Sequence, residues 1–349
     1  MKLLVLYEEL AGYFMACISE FAEQNNCEVL ILRKEVNAVA PFHFKESARI
    51  KLVDRSKFDE NELIKIAIEF SPDAVFCAGW GYKPYLKIAR RFHNKIPVVL
   101  GFDNWWLGSF RQRLSTYIAK VYFSRHFDRC FVPGFQQKEF ALRLGFPEKR
   151  IATGAYSCDF EHFNAYFKKY AAEKISHFPK RFIYAGRYST EKGIELLWKA
   201  FISMQDESPN DWELWCLGKG DIESISHPKI RHFGFVQPEE MEDFIKQTSV
   251  FILPSLFEPW GVVVHEFAAA GFPLLLSENV GAGAAFLKVG QNGFSFRPGD
   301  VDAIAAAMKS IVELSDEKLL RMGESSVDIA SSVTPKKWSK TLFELIHSR

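Results

Sequence analysis

Apolar and polar positions follow a regular order along the chain, in which short apolar runs are followed by amphipathic stretches. The apolar runs have the length of buried strands, and we expect strands at 3–6, 29–32, 74–77, 98–100, 182–185, 212–217, 250–253 and 273–276. The amphipathic stretches have helical spacing, and we expect helices at 13–24, 61–70, 84–92, 193–204, 238–247, 262–270 and 335–347. Strands that alternate with helices indicate an α/β protein with parallel sheets covered by helices on both faces.

The alternation stops at a polar stretch near 153–180, which we interpret as irregular, and then starts again. This interruption predicts two Rossmann-like domains, 1–160 and 161–334, that face each other across an interdomain cleft. In such sheets a ligand lies beyond the carboxyl ends of the strands. The last predicted helix lies too far along the chain to belong to the strand–helix alternation of the second sheet, so we expect residues 335–349 to pack back on the first domain.

Composition narrows the functional class without identifying it. Of the 349 residues, 48% are hydrophobic and 25% charged, as in an ordinary globular protein, and a net charge of +1 gives no reason to expect nucleic acid as a partner. The six cysteines form no Cys-x-x-Cys pair, so we expect neither structural zinc nor disulfides, and a reducing cytoplasm. The apolar run at the N-terminus is too short for a signal peptide, and no run approaches the ~20 apolar residues of a membrane span, so we expect neither.

The stretch 256–271 combines two carboxylates with a predicted helix start. Glu258 would lie in the loop before the helix and Glu266 within it, with Gly261 at the turn between them. The free N–H groups of a helix N-terminus favour an anion. Hydroxyl-binding carboxylates on either side of an anion site suit a nucleotide-sugar. The alternative is a surface acid followed by a helix acid that the helix dipole stabilises.

A second polar loop follows the predicted strand at 182–185. The strand ends at Gly186 and the next helix opens near Gly193, so that Arg187 and Lys192 lie in the connecting loop. Arginine and lysine at such a position can converge on phosphate. A solvated basic loop is the alternative.

Together these two loops resemble a known family. Gly-Arg at 186–187 and Glu-Lys-Gly at 191–193, followed about seventy residues later by Glu-x7-Glu, are similar to the motifs of the retaining glycosyltransferases of family 4, or group 1, which have the GT-B fold. The flanking stretches at 217–221, 233–236, 253–255, 290–294 and 298–300 agree with that pattern. The resemblance covers about residues 180–345 well and the first half loosely.

The resemblance implies a role for each candidate residue in binding or transferring the sugar of a nucleotide-sugar donor. Glu258 would bind hydroxyls of the donor sugar, and Glu266 those of the ribose. Arg187 and Lys192 would neutralise the leaving diphosphate. The remaining donor contacts would be made by Gly186, Phe235, Val236, Gly261, Val262 and Val263. Of these, Phe235 and Val236 would line the base, mostly through their backbone. The family also implies retention at the anomeric carbon, no required metal and no cofactor beyond the co-substrate.

The first domain departs from the family pattern at two points. The loop 7–13 keeps only Gly12 where the family has a pair of glycines over the donor phosphate. Asp103 stands near the position of a family histidine. We expect Asp103 to accept a hydrogen bond from a sugar hydroxyl or, alternatively, to cap a helix.

Residues 83–131 form a basic stretch with ten Lys and Arg and two acidic residues. Aromatic residues are interleaved with the basic ones, at 85, 92, 105, 106, 110, 117, 122, 123 and 127. Apolar residues recur at helical spacing within 110–127, namely Leu114, Tyr117, Ile118, Val121 and Tyr122. This pattern favours binding to an anionic membrane surface. A core helix with a solvated basic face and a nucleic-acid surface are the alternatives.

We therefore expect a metal-independent, retaining hexosyltransferase that uses a UDP- or GDP-sugar. Its acceptor would be a lipid-linked or cell-surface glycan intermediate, as in lipopolysaccharide, O-antigen or capsule synthesis, reached at the inner face of the cytoplasmic membrane. Two alternatives remain open: a catalytically silent GT-B-like binding or scaffold protein, and a sugar phosphorylase of the same fold.

Overall fold

The computed structural model describes residues 1–35, 44, 46–237 and 240–348. The chain divides into two compact units, Met1–Cys158 with Val333–Arg349, and Asp159–Ser332. Each unit contains a parallel sheet flanked by helices, which confirms the predicted α/β class. Among the described residues, no helix is both long and apolar enough to cross a bilayer.

The first unit is built on a sheet of seven parallel strands in the order β3-β2-β1-β4-β5-β6-β7. The strands are β1 Lys2–Tyr7, β2 Glu28–Arg33, β3 Ile50–Asp54, β4 Ala74–Ala78, β5 Val98–Gly101, β6 Arg129–Val132 and β7 Ile151–Thr153. The helices are α1 Gly12–Gln24, α2 Glu60–Phe70, α3 Lys83–Phe92, α4 Phe110–Phe123 and α5 Phe135–Arg143, joined by the C-terminal helix α13, Pro335–His347.

Helix α13 is an integral part of the first unit's core. Trp338 is fully buried, and its indole N–H donates to the carbonyl of Ala155 at 2.7 Å. Its ring packs edge-on against Phe14 and Phe21 of α1, at centroid distances of 5.9 and 6.3 Å. The last helix in the sequence therefore covers one face of the first sheet.

The second unit has a six-stranded parallel sheet in the order β10-β9-β8-β11-β12-β13. The strands are β8 Arg181–Ala185, β9 Glu213–Leu217, β10 Ile230–Gly234, β11 Val250–Leu253, β12 Leu274–Ser277 and β13 Gly293–Phe296. The helices are α6 Phe160–Ser176, α7 Ile194–Glu207, α8 Met241–Gln247, α9 Val262–Ala269, α10 Gly283–Phe286, α11 Val301–Val312 and α12 Asp316–Ala330. The first two residues of the helix predicted at 238–247 lie outside the described residues.

The prediction of an irregular stretch near 153–180 is wrong, because most of it forms the 17-residue helix α6. Asp159 caps this helix by accepting a hydrogen bond from the backbone N–H of His162 at 3.3 Å. The buried side chains of α6 include Phe160, Phe163 and Tyr170 at helical spacing. Four charged residues of α6 lie on its solvent side, namely Glu161, Lys168, Lys169 and Glu173, and this made the stretch look uniformly polar. The apolar pattern also missed the short strands β3, β6, β7, β10 and β13.

Candidate active site

The sheet of the second unit reverses its strand order between β8 and β11. Both strands run in the same direction, so the loops that follow them leave the sheet side by side. In open α/β sheets a ligand binds at this kind of switch point, outside the carboxyl ends of the strands. The two loops here are 186–193 after β8 and 254–261 after β11, the same two stretches that carry the sequence motifs.

The loop after β8 is brought against the loop after β11 by a glycine. Gly193 has φ +67°, and a Cβ built on it would lie 2.4 Å from the carbonyl oxygen of Pro254. Only glycine fits both this backbone conformation and this close approach. At the other end of the loop, the Tyr184 hydroxyl donates to the carbonyl of Arg187 at 2.7 Å.

The backbone of the loop after β11 is held by hydrogen bonds on both sides. The N–H of Glu258 donates to the carbonyl of Asn279 at 2.9 Å, and the carbonyl of Glu258 accepts from the N–H of Gly281 at 3.0 Å. The N–H of Leu256 donates to the carbonyl of Glu191 at 2.9 Å, which ties this loop to the one after β8. Glu258 is thus positioned by a braced backbone.

The turn from this loop into helix α9 also requires glycine. Gly261 has φ +86°, and a Cβ on it would lie 2.9 Å from Cγ of Glu258. Directly after it, the amides of Val262 and Val263 belong to the first turn of α9, where a helix supplies no carbonyl partners. The positive end of the helix dipole therefore lies next to Glu258 in the chain.

Lys192 and Glu258 meet at the switch point as an ion pair between Nζ and Oε2. Their side chains are only 16% and 13% exposed. A charge pair this sheltered from water is screened less than a surface pair. The fold therefore concentrates one cation, one carboxylate and a helix N-terminus in a small polar region.

Glu266 lies farther along α9 and is partly buried. Burial raises the pKa of its carboxyl group from 4.5 to about 7 because a low-dielectric environment disfavours the charged form. Near neutral pH this side chain can therefore both donate and accept hydrogen bonds, as recognition of a hydroxyl group requires.

The remaining predicted residues of the second unit are more open. Gly186 directly follows β8, and the side chain of Arg187 is exposed beside it. Phe235 and Val236 follow β10 and are partly exposed. Since β9 separates β10 from β8, these two residues lie farther along the carboxyl edge than Lys192 and Glu258.

Gly12 and Asp103 belong to the first unit, each after the carboxyl end of a strand. Gly12 opens helix α1, and a Cβ added to it would meet no atom within 4 Å. The fold of this unit therefore does not itself require glycine there. The alternative interpretation of Asp103 as a helix cap is wrong, because α4 is capped by Ser109, whose Oγ accepts from the N–H of Gln112.

Asp103 instead joins a cluster of tyrosines that the sequence did not reveal. The Tyr7 and Tyr13 hydroxyls lie 3.2 Å apart, and the rings of Tyr13 and Tyr156 are 5.3 Å apart. Tyr156 in turn hydrogen-bonds the Asp103 side chain. Burial raises the pKa of all three phenols, and the nearby Asp103 carboxylate adds to the effect. The tyrosines come from the ends of β1 and β7 and the start of α1, which only the folded sheet brings together.

No three His, Cys, Asp or Glu side chains converge on a metal position within the part of the chain that the structure describes. The six cysteines are buried thiols. At the β8–β11 switch point, the groups that can contact a ligand are the Lys192 cation, the Glu258 carboxylate and the backbone amides at the start of α9.

Residues 179–313 match the family model described as "Glycosyl transferases group 1". Glycogen synthase of Mycobacterium tuberculosis is 31% identical over 153 residues, which are 41% of this chain and 36% of that protein. An uncharacterized glycosyltransferase of Methanocaldococcus jannaschii is 30% identical over 136 residues, 36% of this chain and 34% of that protein. The matched segments thus span about a third of the length of these relatives.

Solved structures match over the whole chain. Anabaena HepE in complex with UDP-glucose has a TM-score of 0.72 and 15% identity, with 100% of both chains covered. The E. coli trehalose-6-phosphate protein bound with UDP-2-fluoro glucose has a TM-score of 0.78 and 11% identity, also with 100% of both chains covered. At this identity the likeness shows the fold, including that of the first unit, which the family model does not reach.

Proposed function

We propose that the chain, whose residues 179–313 match the group 1 glycosyl transferases, acts as a member of that family. On that premise it moves a hexose from a nucleoside-diphosphate sugar to an acceptor hydroxyl, with retention at the anomeric carbon. The observation that carries this proposal is the sheltered Lys192–Glu258 pair beside the N-terminus of α9. Cation, amides and carboxylate together suit a ligand with phosphate next to sugar hydroxyls.

We assign the donor contacts to the second unit. Glu258 accepts hydrogen bonds from the sugar hydroxyls, and Glu266 binds the ribose hydroxyls. The amides of 261–263 and the loop at Gly186 hold the diphosphate. Phe235 and Val236 border the base. The base is uracil or guanine. UDP-sugars are tested first because two structural neighbours were solved with them.

The chemical problem is to stabilise a departing diphosphate and a positively charged, oxocarbenium-like sugar. Arg187, Lys192 and the first amides of α9 supply positive potential that is already oriented before reaction. In this mechanism they do what a divalent cation does in other glycosyltransferases. The leaving phosphate accepts the proton of the acceptor hydroxyl, so that the sugar–oxygen bond forms as the sugar–phosphate bond breaks.

We assign acceptor recognition to the first unit. Two of its residues are proposed to act on the donor instead: the Asp103 carboxylate accepts a hydrogen bond from a hydroxyl of the donor sugar, and the backbone at Gly12 donates to the donor phosphate. The acceptor is proposed to be a lipid-linked or cell-surface glycan intermediate, used at the inner face of the cytoplasmic membrane. Charge supports this: residues 1–160 carry 23 Lys and Arg against 18 Asp and Glu, a net of +5.

The decisive test of the active site is turnover of nucleotide-sugars by four variants of the full chain. Lys192→Ala and Glu258→Ala should each lower donor turnover by about 10²–10³, as removal of a preorganised charge-stabilising group does in other enzymes. Lys199→Ala and Glu195→Ala are matched controls because both side chains are exposed on α7 of the same unit.

Three results of this assay would redirect the proposal. Near-normal turnover by both site variants would refute the site assignment. Donor binding without turnover by the wild type would identify a catalytically silent binding protein. Release of sugar phosphate that depends on added inorganic phosphate would identify a phosphorylase.

A further inference from the structure

Helix α4 of the first unit has apolar side chains on two opposite sides. Its buried side is narrow and consists of Ala119 and Phe123, which are 6% and 5% exposed. The other side, which we call the outer apolar face, consists of Phe110 (82% exposed), Leu114 (60%), Tyr117 (83%), Ile118 (69%) and Val121 (54%). At about 3.6 residues per turn these five residues form one stripe along the helix.

The orientation of α4 is fixed by its anchors, so the outer apolar face is not a loosely placed segment. Phe123 packs edge-on against Trp80 at a centroid distance of 5.2 Å. At the N-terminus, Gln112 braces the entry loop: its Oε1 accepts from the N–H of Leu107 at 2.8 Å and its Nε2 donates to the carbonyl of Trp105 at 2.9 Å. The anchored helix holds the five apolar side chains away from the core.

The charged residues of α4 and of the chain directly flanking it all have one sign. Residues 104–127 contain four Lys and Arg and no Asp or Glu. The side chains of Arg113, Lys120 and Arg125 are exposed. Tyr117, the most exposed residue of the face, combines an apolar ring with a polar hydroxyl, as is typical of side chains at a membrane interface.

We infer that the outer apolar face of α4 inserts into an anionic lipid bilayer, with the helix parallel to the surface and its basic side chains at the headgroups. An exposed apolar stripe of this size marks an interaction surface, and the uniformly positive rim selects an anionic lipid surface as its occupant. The inference deepens the proposed function, on which it rests for the lipid-linked acceptor, by naming the side of the first unit that meets the lipid.

Only part of the basic stretch 83–131 can contact lipid. Tyr85, Trp105 and Phe127 of that stretch are buried in the core and cannot contact lipid. Lys87 forms an ion pair with Glu60, so its positive charge is balanced by a carboxylate. The membrane contact is therefore α4 and its rim rather than the whole stretch.

A fluorescent label at residue 117 tests insertion directly. Because all six native cysteines are buried, Tyr117→Cys provides the single accessible thiol for an environment-sensitive dye such as NBD. Lys65→Cys is the control, since Lys65 is 75% exposed on α2 of the same unit. With vesicles of phosphatidylcholine and phosphatidylglycerol we expect a blue shift and an intensity gain at 117, quenching by brominated acyl chains, and no change at 65.

Substitutions then separate the apolar contribution from the charged one. Leu114→Ser with Ile118→Ser and Val121→Ser should lower vesicle binding at least tenfold, while the exposed Ile175→Ser in the second unit should leave it unchanged. Arg113→Gln, Lys120→Gln and Arg125→Gln should each weaken it about fivefold, since a basic residue near an anionic surface contributes about 1 kcal/mol.

An unchanged spectrum at 117 with anionic vesicles would overturn the inference. So would a concentration-dependent dimer that the triple serine variant abolishes while wild-type chain ignores vesicles, because the occupant would then be a second copy of this chain. Thermal stabilisation by nucleotide-sugars, measured on the triple serine variant, keeps the two proposals distinguishable. Vesicle binding without donor binding would leave this inference standing and contradict the proposed function alone.

Discussion

Among single residues, the side chains that matter most are those whose protonation is changed by their environment. Glu266 is the clearest case, because burial raises the pKa of its carboxyl group to about 7. A protein gains nothing in stability from such a group, since the carboxylate is harder to form in the folded chain than in the unfolded one. A carboxyl group whose raised pKa lowers folding stability is typical of binding and catalytic sites.

Replacement of Glu266 by Gln should therefore alter the pH dependence of stability. Well below pH 4.5 the carboxyl is protonated in both states, and no ionisation penalty exists. As pH rises from about 4.5 to about 7 the unfolded chain loses the proton while the folded chain keeps it, so wild-type stability falls, and above pH 7 the loss stays constant. Glu266→Gln removes this loss and should gain up to about 3 kcal/mol over wild type between pH 4.5 and 8, at about 1.4 kcal/mol per pKa unit.

Urea unfolding at several pH values measures this difference, with Glu195→Gln as the control because Glu195 is exposed in the same unit. A constant difference between wild type and Glu266→Gln across the pH range would show that the carboxyl of Glu266 titrates normally.

At the scale of elements, periodicity predicted most helices and the central strands. It predicted helix 262–270 within one residue of α9, Val262–Ala269. It failed for α6, where charged residues on the solvent side masked a buried aromatic stripe. For α4 it predicted a helix but not which side is buried, because a helix with two apolar sides has no single polar face.

Helix α13 provides a test of how an element distant in sequence supports the first unit. Trp338→Ala removes a fully buried indole that packs on α1, and should lower the free energy of unfolding by about 3–5 kcal/mol. Phe343→Ala on the same helix is the control, because Phe343 is 36% exposed and should cost far less.

Denaturant unfolding measures the free energy of unfolding of both variants. It is followed by backbone circular dichroism, because the loss of Trp338 changes the tryptophan fluorescence. Equal losses in the two would mean that α13 packs through a different side than the one described.

At the scale of the whole molecule, the two units differ in how much the sequence revealed. The motifs of the second unit identified the loops that meet at the β8–β11 switch point. The Lys192–Glu258 contact could not be predicted from the sequence, because 66 residues separate the partners and only the strand order brings them together. The tyrosine cluster around Asp103 was hidden for the same reason, since its members come from elements up to 149 residues apart.

Calorimetric titration of the full chain with UDP- and GDP-sugars measures donor binding itself. We expect that at least one of them binds, and that Glu258→Ala weakens its binding at least tenfold while Glu195→Ala does not. Failure of every nucleotide-sugar to bind, or equal affinity of wild type and Glu258→Ala, would contradict a donor site at the β8–β11 switch point.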